Sequence, residues 1–437
     1  MRRTEASVLV GLLWCFALLS VVVVGVLYGA RLELLVVKNH GDQIQAHYLA
    51  LAGVEKAKAL LYHDAKDRKR AAVHHSGTLY DSPQDFKDVA FGRGEFRVFH
   101  QGGRNDSGKL LYGISDEESR LNLNNASPEE LAKIYNMTPE VVAAIKDWKD
   151  GDNAASNGGA EAEYYGALQP PYLPRNGEFQ TVRELLMVRG VTAEFFKGED
   201  ENQNGLLDPE EDDGNGAFPP DNRDGVLDAG WSGLLTVQSS SVNQTAAGQP
   251  RVNVQEAGER DLTAVRGITP EIARAIIASR GQKELENLAD LLDVTNRPPS
   301  GGVSVPAVKP IDEQKLMDIA DDICVKSDTE EPGLININTA PAEVLQCLPG
   351  LTKELAEAIV SYRQSAGFFP NIAWLLKVDG MTKDIFKQVS PRVSVRSDTF
   401  RILSEGRVRS TGARKRMEVV VRQTAVGFDT LAYREDL

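Results

Sequence analysis

SVLVGLLWCFALLSVVVVGVLYGA, residues 7–30, contains no charged side chain and follows Arg2 and Arg3. As a helix rising about 1.5 Å per residue it spans roughly 36 Å, enough to cross a hydrocarbon core of about 30 Å with some tilt. The two arginines favour a cytoplasmic N-terminus. A cleaved secretory signal has a shorter apolar stretch ending at a small-residue site, whereas here a helical pattern continues past Arg31. Leu32, Leu35, Val36, Ile44, Tyr48, Leu51, Val54, Ala57 and Leu61 recur at three- and four-residue steps beside Arg31, Lys38, Asp42, Gln45, Glu55 and Lys58. One helix to about Tyr62 is expected, membrane-spanning over 7–30 and amphipathic over 31–64, with the rest of the chain outside the cytoplasm. Periodicity leaves two readings open. The helix is either an anchor with a stalk, or a packing element that enters a filament with its N-terminal half and covers a sheet with its C-terminal half.

Some 400 of the 437 residues remain for extracytoplasmic domains, and the 42% hydrophobic content is that of a globular protein. A net charge of −14 argues against general affinity for nucleic acid or acidic lipid. Cys15 lies in the span, while Cys324 and Cys347 lie where disulfides are permitted, so their pairing stays open. The six histidines form no metal-spaced pair, and no GxSxG, P-loop or CxxC pattern occurs, so catalysis is not expected.

Glu95–His100 and Lys109–Ile114 read as a hairpin across GGRNDSG, and Phe400–Glu405, Met417–Gln423 and Asp429–Tyr433 as later strands. Between them lies a long, mostly helical region. Together with ALLSV (Ala17–Val21) and QAHYLALAGVEKAKALL (Gln45–Leu61), this order resembles the type IV pilin-like proteins, and most closely the GspK-type minor pseudopilins of type II secretion. The resemblance implies an α+β fold: a long N-terminal transmembrane helix packed on a small antiparallel sheet (the pseudopilin fold), interrupted by a large inserted α-helical domain. The corresponding segments are a leader over 1–6, the helix over 7–64, a first part of the α/β domain over 65–118, the insertion over 119–390, and returning strands over 391–437. It also implies cutting by a prepilin peptidase between Ala6 and Ser7, with alanine in place of the usual glycine, and methylation of the new terminus. Gly11 then stands where filament-body pilins carry a glutamate, which GspK-type proteins also lack.

Three segments of the insertion share a frame, near 121–196, 252–294 and 334–386. Asn122, Asn253 and Asn336 each precede by sixteen residues a threonine, Thr138, Thr269 or Thr352, that opens a helix: TPEVVAAI, TPEIARAI and TKELAEAI. Threonine caps, proline presets the first helical φ, and Glu140 or Glu271 suits the positive end of the helix dipole. FQTVRELLMV, LENLADLLDV and FPNIAWLLKV follow from Phe179, Leu285 and Phe369, and two units add RGVTAEFF (Arg189–Phe196) and DGMTKDIF (Asp379–Phe386). These units resemble helix-hairpin-helix modules. A DNA-gripping hairpin needs a glycine-rich turn and several cations. Here Thr352 replaces the second glycine and only Arg266 and Lys353 lie beside the turns, which favours packing over nucleic-acid binding. The first unit also carries an aspartate-rich turn, then Gly159, Ala160 and Glu161, then Tyr164 and Tyr165 before prolines. This is a GspK-like pattern suited to a partner-facing or a structural loop.

Within an insertion at 197–231, residues 200–211 (DENQNGLLDPEE) match a twelve-residue calcium loop. Asp200, Asn202 and Asn204 stand at positions 1, 3 and 5, and Gly205 is at the sharp turn. Leu206 lends its carbonyl, Leu207 is the apolar anchor, Asp208 is at position 9 and Glu211 is the bidentate twelfth. Pro209 and the following glycines argue against a regular exiting helix. Asp221, Asp224, Gly225 and Asp228 form a second, partial loop whose first and twelfth positions fall on Pro220 and Trp231. A structural Ca2+ is the expected cofactor, since extracytoplasmic calcium fills even weak sites.

The function expected from the resemblance is that of a minor pseudopilin at the tip of the type II secretion pseudopilus, initiating assembly and capping it. The chain would sit in the inner membrane with its bulk in the periplasm. Its partners would be GspI-type and GspJ-type minor pseudopilins, the major pseudopilin filament and the prepilin peptidase. The alternatives are a membrane-tethered helix-hairpin-helix DNA receptor and a calcium-dependent adhesin.

Overall fold

A computed structural model describes residues 3–435 except 76, 104, 105, 107, 215, 217–220 and 296–308. The apolar N-terminal pattern and its amphipathic continuation form one helix, α1 (Arg3–Ala71), reaching nine residues beyond the expected end. It is long and apolar enough to cross a membrane. Ala6 and Ser7 lie in its first turns. From Asp42 onward one face is buried: Ala46, Leu49, Ala50, Val54, Ala57, Leu61 and Ala65 recur at three- and four-residue steps.

That face lies on an antiparallel sheet of β1 (Val89–Phe91), β2 (Gly94–Val98), β3 (Ser115–Asp116), β4 (Thr399–Val408), β5 (Arg414–Gln423) and β6 (Phe428–Glu435). The order is β1-β2-β4-β5-β6, with β3 pairing β4 beyond the end of β2. Strands from both ends of the chain thus join in one sheet, so the region between them is an insertion. Small residues let helix and sheet approach closely. A Cβ on Gly406 would strike the backbone of Ala46 and Ala50, and Ser404 Oγ donates to Ala50 O at 2.8 Å. Ala50, Val54, Ala57 and Leu61 share a core with Phe86, Val98, Ile114, Phe400, Ile402, Met417, Val419 and Val421.

The expected Glu95–Ile114 hairpin is only partly formed. His100–Gln101 pairs with Leu110–Leu111, but β2 pairs with β1 and β4 instead. The alternation of β2, with Phe96 and Val98 buried, is satisfied by α1 only in the centre of the sheet. The short, half-exposed β1 gave no periodic signal.

In the insertion, each repeat unit closes on itself. Leu121–Asn122 pairs in parallel with Leu235–Thr236, Val252–Asn253 with Ile323–Cys324, and Ile335–Asn336 with Val393–Ser394. Thr138, Thr269 and Thr352 each cap their helix, accepting from Val141 N, Ile272 N and Leu355 N. Asn122, Asn253 and Asn336 each accept the amide two residues on, at 2.8–3.0 Å. Lys149, Arg280 and Arg363, each 27 residues after its asparagine, donate to carbonyls of the following turn: Leu123 and Asn124, Val254 and Ala257, Ile337 and Ala340. The second unit is longer than its expected 252–294 span. Glu313–Ile319, capped by Asp312, completes it before the closing strand. One core joins all three units. Cys324 and Cys347 are both buried and both free, so the disulfide left open by sequence does not form.

The acidic turn Asp116–Glu117–Glu118, fully enclosed, stitches insertion to sheet. Asp116 accepts from Asn336 (3.0 Å), Ser397 (2.6 Å) and Thr339. Glu117 pairs with Arg401 on β4 and accepts from Thr236. Glu118 takes the amides of Asp398 and Thr399. The Arg401 guanidinium holds the Glu117 carboxyl down at about 2 against the opposing effect of burial.

Candidate cation-binding loops

The last helix of unit one, Ala193–Lys197, leads into the acidic insertion, and Gly230–Leu234 leads out of it to the closing strand. Its ends are pinched together. Glu199 N donates to Asp228 O at 2.6 Å, and a Cβ on Gly198 (φ +61°) would collide with Asp228 O. Among the described residues no helix follows Glu211 directly, in keeping with Pro209 and the glycines.

In the first loop, Asp200 accepts from Asn204 N and Gly205 N, both at 2.9 Å. Asn202 Oδ1 accepts from Asn204 N (2.9 Å), and Asn204 Oδ1 from Leu206 N (2.8 Å). Asp208 Oδ2 accepts from the side-chain amides of Asn202 and Asn204. Glu211 reaches back across the loop, accepting from Glu201 N (3.0 Å), Asn202 N (3.4 Å) and Asp208 N (3.1 Å). Gln203 and Gly205 carry the left-handed φ values, +55° and +73°. The apolar anchor is Leu206, not Leu207. Leu206 packs with Phe99 and Leu403, fastening the loop to the sheet domain.

The second loop repeats this geometry. Asn222 Oδ1 accepts from Asp224 N and Asp224 Oδ1 from Val226 N, both at 2.8 Å, with Arg223 at φ +56° and Gly225 at +73°. Asp228 Oδ1 accepts from Gly230 N at 2.9 Å. Position 1, Pro220, lies outside the described residues. Asp221 turns instead to the amides of Gly214 and Arg223, so Asn222, which the sequence reading passed over, holds the third position. The twelfth position is filled from elsewhere. Glu199 accepts from Asn222 N (3.3 Å) and Asp228 N (2.9 Å), the same two positions that Glu211 serves in the first loop. No window read forwards from Asn222 could find it, because Glu199 lies upstream of both loops.

Burial pushes the Asp200, Glu211 and Glu199 carboxyls upward, as expected of carboxylates gathered without a counter-charge. Oxygen donors from carboxylates and amides, with no Cys or His between 199 and 228, fit a hard cation of calcium's class. Of the GspK-like residues in unit one, Tyr165 is buried against Trp148, while Tyr164 remains partly exposed beneath Arg189.

A long apolar helix laid over an antiparallel sheet, with a helical insertion between its strands, is the arrangement expected of the pseudopilin fold. Residues 119–198 match the family described as type II secretion system, protein K, and residues 332–394 match the helix-hairpin-helix motif. The protein K of Pectobacterium carotovorum subsp. carotovorum is 26% identical over 169 residues, 37% of this chain and 50% of that protein. The endonuclease/exonuclease/phosphatase family domain-containing protein 1 of Xenopus laevis is 29% identical over 170 residues, 34% of this chain and 28% of that protein. The chain therefore spans half or less of the length of these relatives. The solved GspK-GspI-GspJ complex of the enterotoxigenic Escherichia coli type 2 secretion system aligns at 12% identity and a TM-score of 0.42, over 93% of this chain and 99% of that chain. By its protein K matches, the chain is similar to the GspK-type minor pseudopilins of type II secretion.

Proposed function

We propose that this chain is the minor pseudopilin at the tip of a type II secretion pseudopilus, where it initiates assembly and ends the filament. One observation carries the reading. The apolar side chains of α1 from Val8 to Val37 are exposed, whereas the same helix is buried against its own sheet from Ala46 on. An apolar surface of this extent marks contact with lipid or with other apolar helices. The protein K resemblance favours GspI-type and GspJ-type minor pseudopilins as its partners, with the major pseudopilin below. The inner membrane would hold the helix before assembly, the bulk of the chain would lie in the periplasm, and a prepilin peptidase would cut between Ala6 and Ser7. The insertion would obstruct any further subunit above it.

In the same proposal Asp200, Asn202, Asn204, Leu206, Asp208 and Glu211 hold a structural Ca2+, and Asn222, Asp224, Asp228 and Glu199 hold a second. Together these ions would brace the insertion against the sheet domain. The helix-hairpin-helix match favours DNA binding as the second reading. Against it, Lys133 Nζ already donates to the turn carbonyls of Gln346, Leu348 and Leu351, and Lys353 pairs with Glu357.

The test is disulfide cross-linking from cysteines placed along residues 8–37 in cells expressing the other minor pseudopilins. The expected result is adducts with those subunits, together with loss of export when the chain is deleted. Adducts with lipid-embedded bystanders alone, and undisturbed export, would refute the tip role. A gel shift that is sensitive to salt and lost in Lys353→Glu would favour DNA instead.

A further inference from the structure

One end of the sheet domain carries a charge opposite to that of the whole chain. Against a net charge of −14, residues 407–416 (RVRSTGARKR) hold five cations and no acid. They form the turn between β4 and β5. β4 runs against the direction of α1, from Ser404 beside Ala50 to Gly406 beside Ala46. Val408 and Ala413 then share a small core with Ala46 and Leu49. The turn therefore points back along α1 towards its apolar half, whose exposed side chains continue to Val37. Nine residues, roughly 14 Å of helix, separate Val37 from Ala46.

The turn between β1 and β2 lies alongside, with Arg409 N donating to Arg93 O at 3.4 Å. Arg93 adds a guanidinium that donates to the neutral amide of Gln45 at 2.8 Å, and Phe91, 60% exposed, stands at the same end. Arg93, Arg407, Arg409 and Arg414 are all exposed. Glu95 is shared between Arg407 (3.9 Å) and Arg409 (3.0 Å). Asp42, on α1 near this level, is buried, and Asp88 precedes β1 at its end away from the turn. Arg414 stands directly opposite Arg407 across the β4–β5 ladder, and among the described residues it joins no ion pair. Like charges directly opposite one another destabilise a sheet. An acidic residue at 414 would relieve that repulsion, so the arginine there suits an anionic surface outside the chain.

We propose that Arg93, Arg407, Arg409 and Arg414 dock on the anionic phospholipid headgroups of the membrane that α1 crosses. The proposal rests on that crossing. Continuity favours lipid over an acidic protein, because α1 tethers this end of the sheet close to the bilayer and so keeps headgroups at high effective concentration. Each cation held near an anionic surface contributes about a fivefold attraction. The attraction fades over a Debye length of about 8 Å at physiological salt, so only this end feels it. The acidic remainder of the chain is repelled by the same surface. Together the two effects would hold the body in one orientation on the membrane.

The experiment uses the full chain in bilayer nanodiscs of phosphatidylcholine, with or without phosphatidylglycerol. A fluorophore is placed on Thr411→Cys in a Cys15→Ser background, since Cys324 and Cys347 are buried, and is quenched by a headgroup-labelled lipid. Phosphatidylglycerol is expected to raise the quenching about threefold or more. Salt at about 1 M, where the Debye length is ~3 Å, should return it to the neutral-bilayer value. Replacing Arg93, Arg409 and Arg414 together by Gln should do the same. A parallel label on Leu19→Cys, read with an acyl-chain quencher, reports the crossing itself. Quenching at Leu19 with a Thr411 signal indifferent to phosphatidylglycerol and salt would overturn this proposal alone. No quenching at Leu19 would overturn the crossing and this proposal with it. A triple variant that loses co-purification with partner subunits but keeps the lipid signal would assign the surface to an acidic protein instead. Should that variant fail to fold, the lipid and salt comparisons on the native arginines decide.

Discussion

The two halves of α1 solve opposite problems with the same backbone. Between Val8 and Ala30 it carries no charge on any side and most of its side chains are large and apolar, with Leu19 60% and Val24 65% exposed. Between Asp42 and Ala65 the inward face is mostly alanine and glycine, with Ala46, Ala50 and Ala57 fully buried. Where the partner is a sheet of the same chain, small residues bring the backbones together and Ser404 bonds the helix directly. Where no described part of this chain covers the helix, hydrophobicity is kept on every side. The lesson is that a single helix carries an intramolecular surface and a surface meant for something outside the chain, distinguishable by side-chain size.

The strongest way to break this contrast is a pair of glycine substitutions. A Cβ on Gly53 would already strike Ser404 Oγ and touch Phe96, whereas one on Gly25 meets nothing within 4 Å. Gly53→Leu is expected to cost about 3 kcal/mol or more, read by urea denaturation, while Gly25→Leu leaves that midpoint unchanged. Equal losses in both variants would abolish the distinction.

Chelation sharpens it next. The loops fasten to the sheet that the buried half of α1 lies on, through Leu206. Removing calcium present at a hundred times its dissociation constant should cost roughly 2.7 kcal/mol. The melt of the folded body beyond the apolar half of α1 should fall, and Asp200→Asn should blunt the fall. A melt indifferent to chelator would mean that the loops hold no ion.

A smaller effect concerns the end of the buried half. His75, just past α1, lies between Tyr80 and Phe368, with ring centroids at 5.1 and 3.9 Å. Burial, with help from Arg68 and Arg363, lowers it from 6.5 to about 3. The unfolded chain therefore takes up the proton first, and stability falls as pH drops below 6.5 towards 3, by up to about 1.4 kcal/mol per pH unit. His75→Phe should flatten that slope in melts between pH 6.5 and 5, and an unchanged slope would place its origin elsewhere. Smallest for stability is Leu19→Ala, expected to lie within about 0.5 kcal/mol. Its effect should appear instead as weaker co-purification with partner subunits.

The first 64 residues were legible because an uncharged run and a three-to-four periodicity are strong, local signals. The three hairpin units were legible because they repeat, and Asn122, Asn253 and Asn336 turned out to organise their turns as equivalents. What escaped depends on contacts distant in sequence. β1 is three half-exposed residues whose pairing exists only once β2 and β4 are in place. The last helix of the second unit follows residues 296–308 and is capped by Asp312 where its counterparts use Thr192 and Thr382. Leu206 faces Phe99 and Leu403 because of where the loop docks, and the twelve-residue pattern knows nothing of docking. Glu199 serves a loop that begins some twenty residues later, and a linear motif cannot express that order.

The pinched neck of the acidic segment has a consequence for ancestry and engineering. Because the amide of Glu199 already meets the carbonyl of Asp228, the polypeptide departs from the first ring of helices and rejoins it at nearly one point. The intervening stretch is a detachable cassette. Excising it and sealing the gap with a short peptide should leave the ring closed, and other cargo-sized segments could be spliced into the same port.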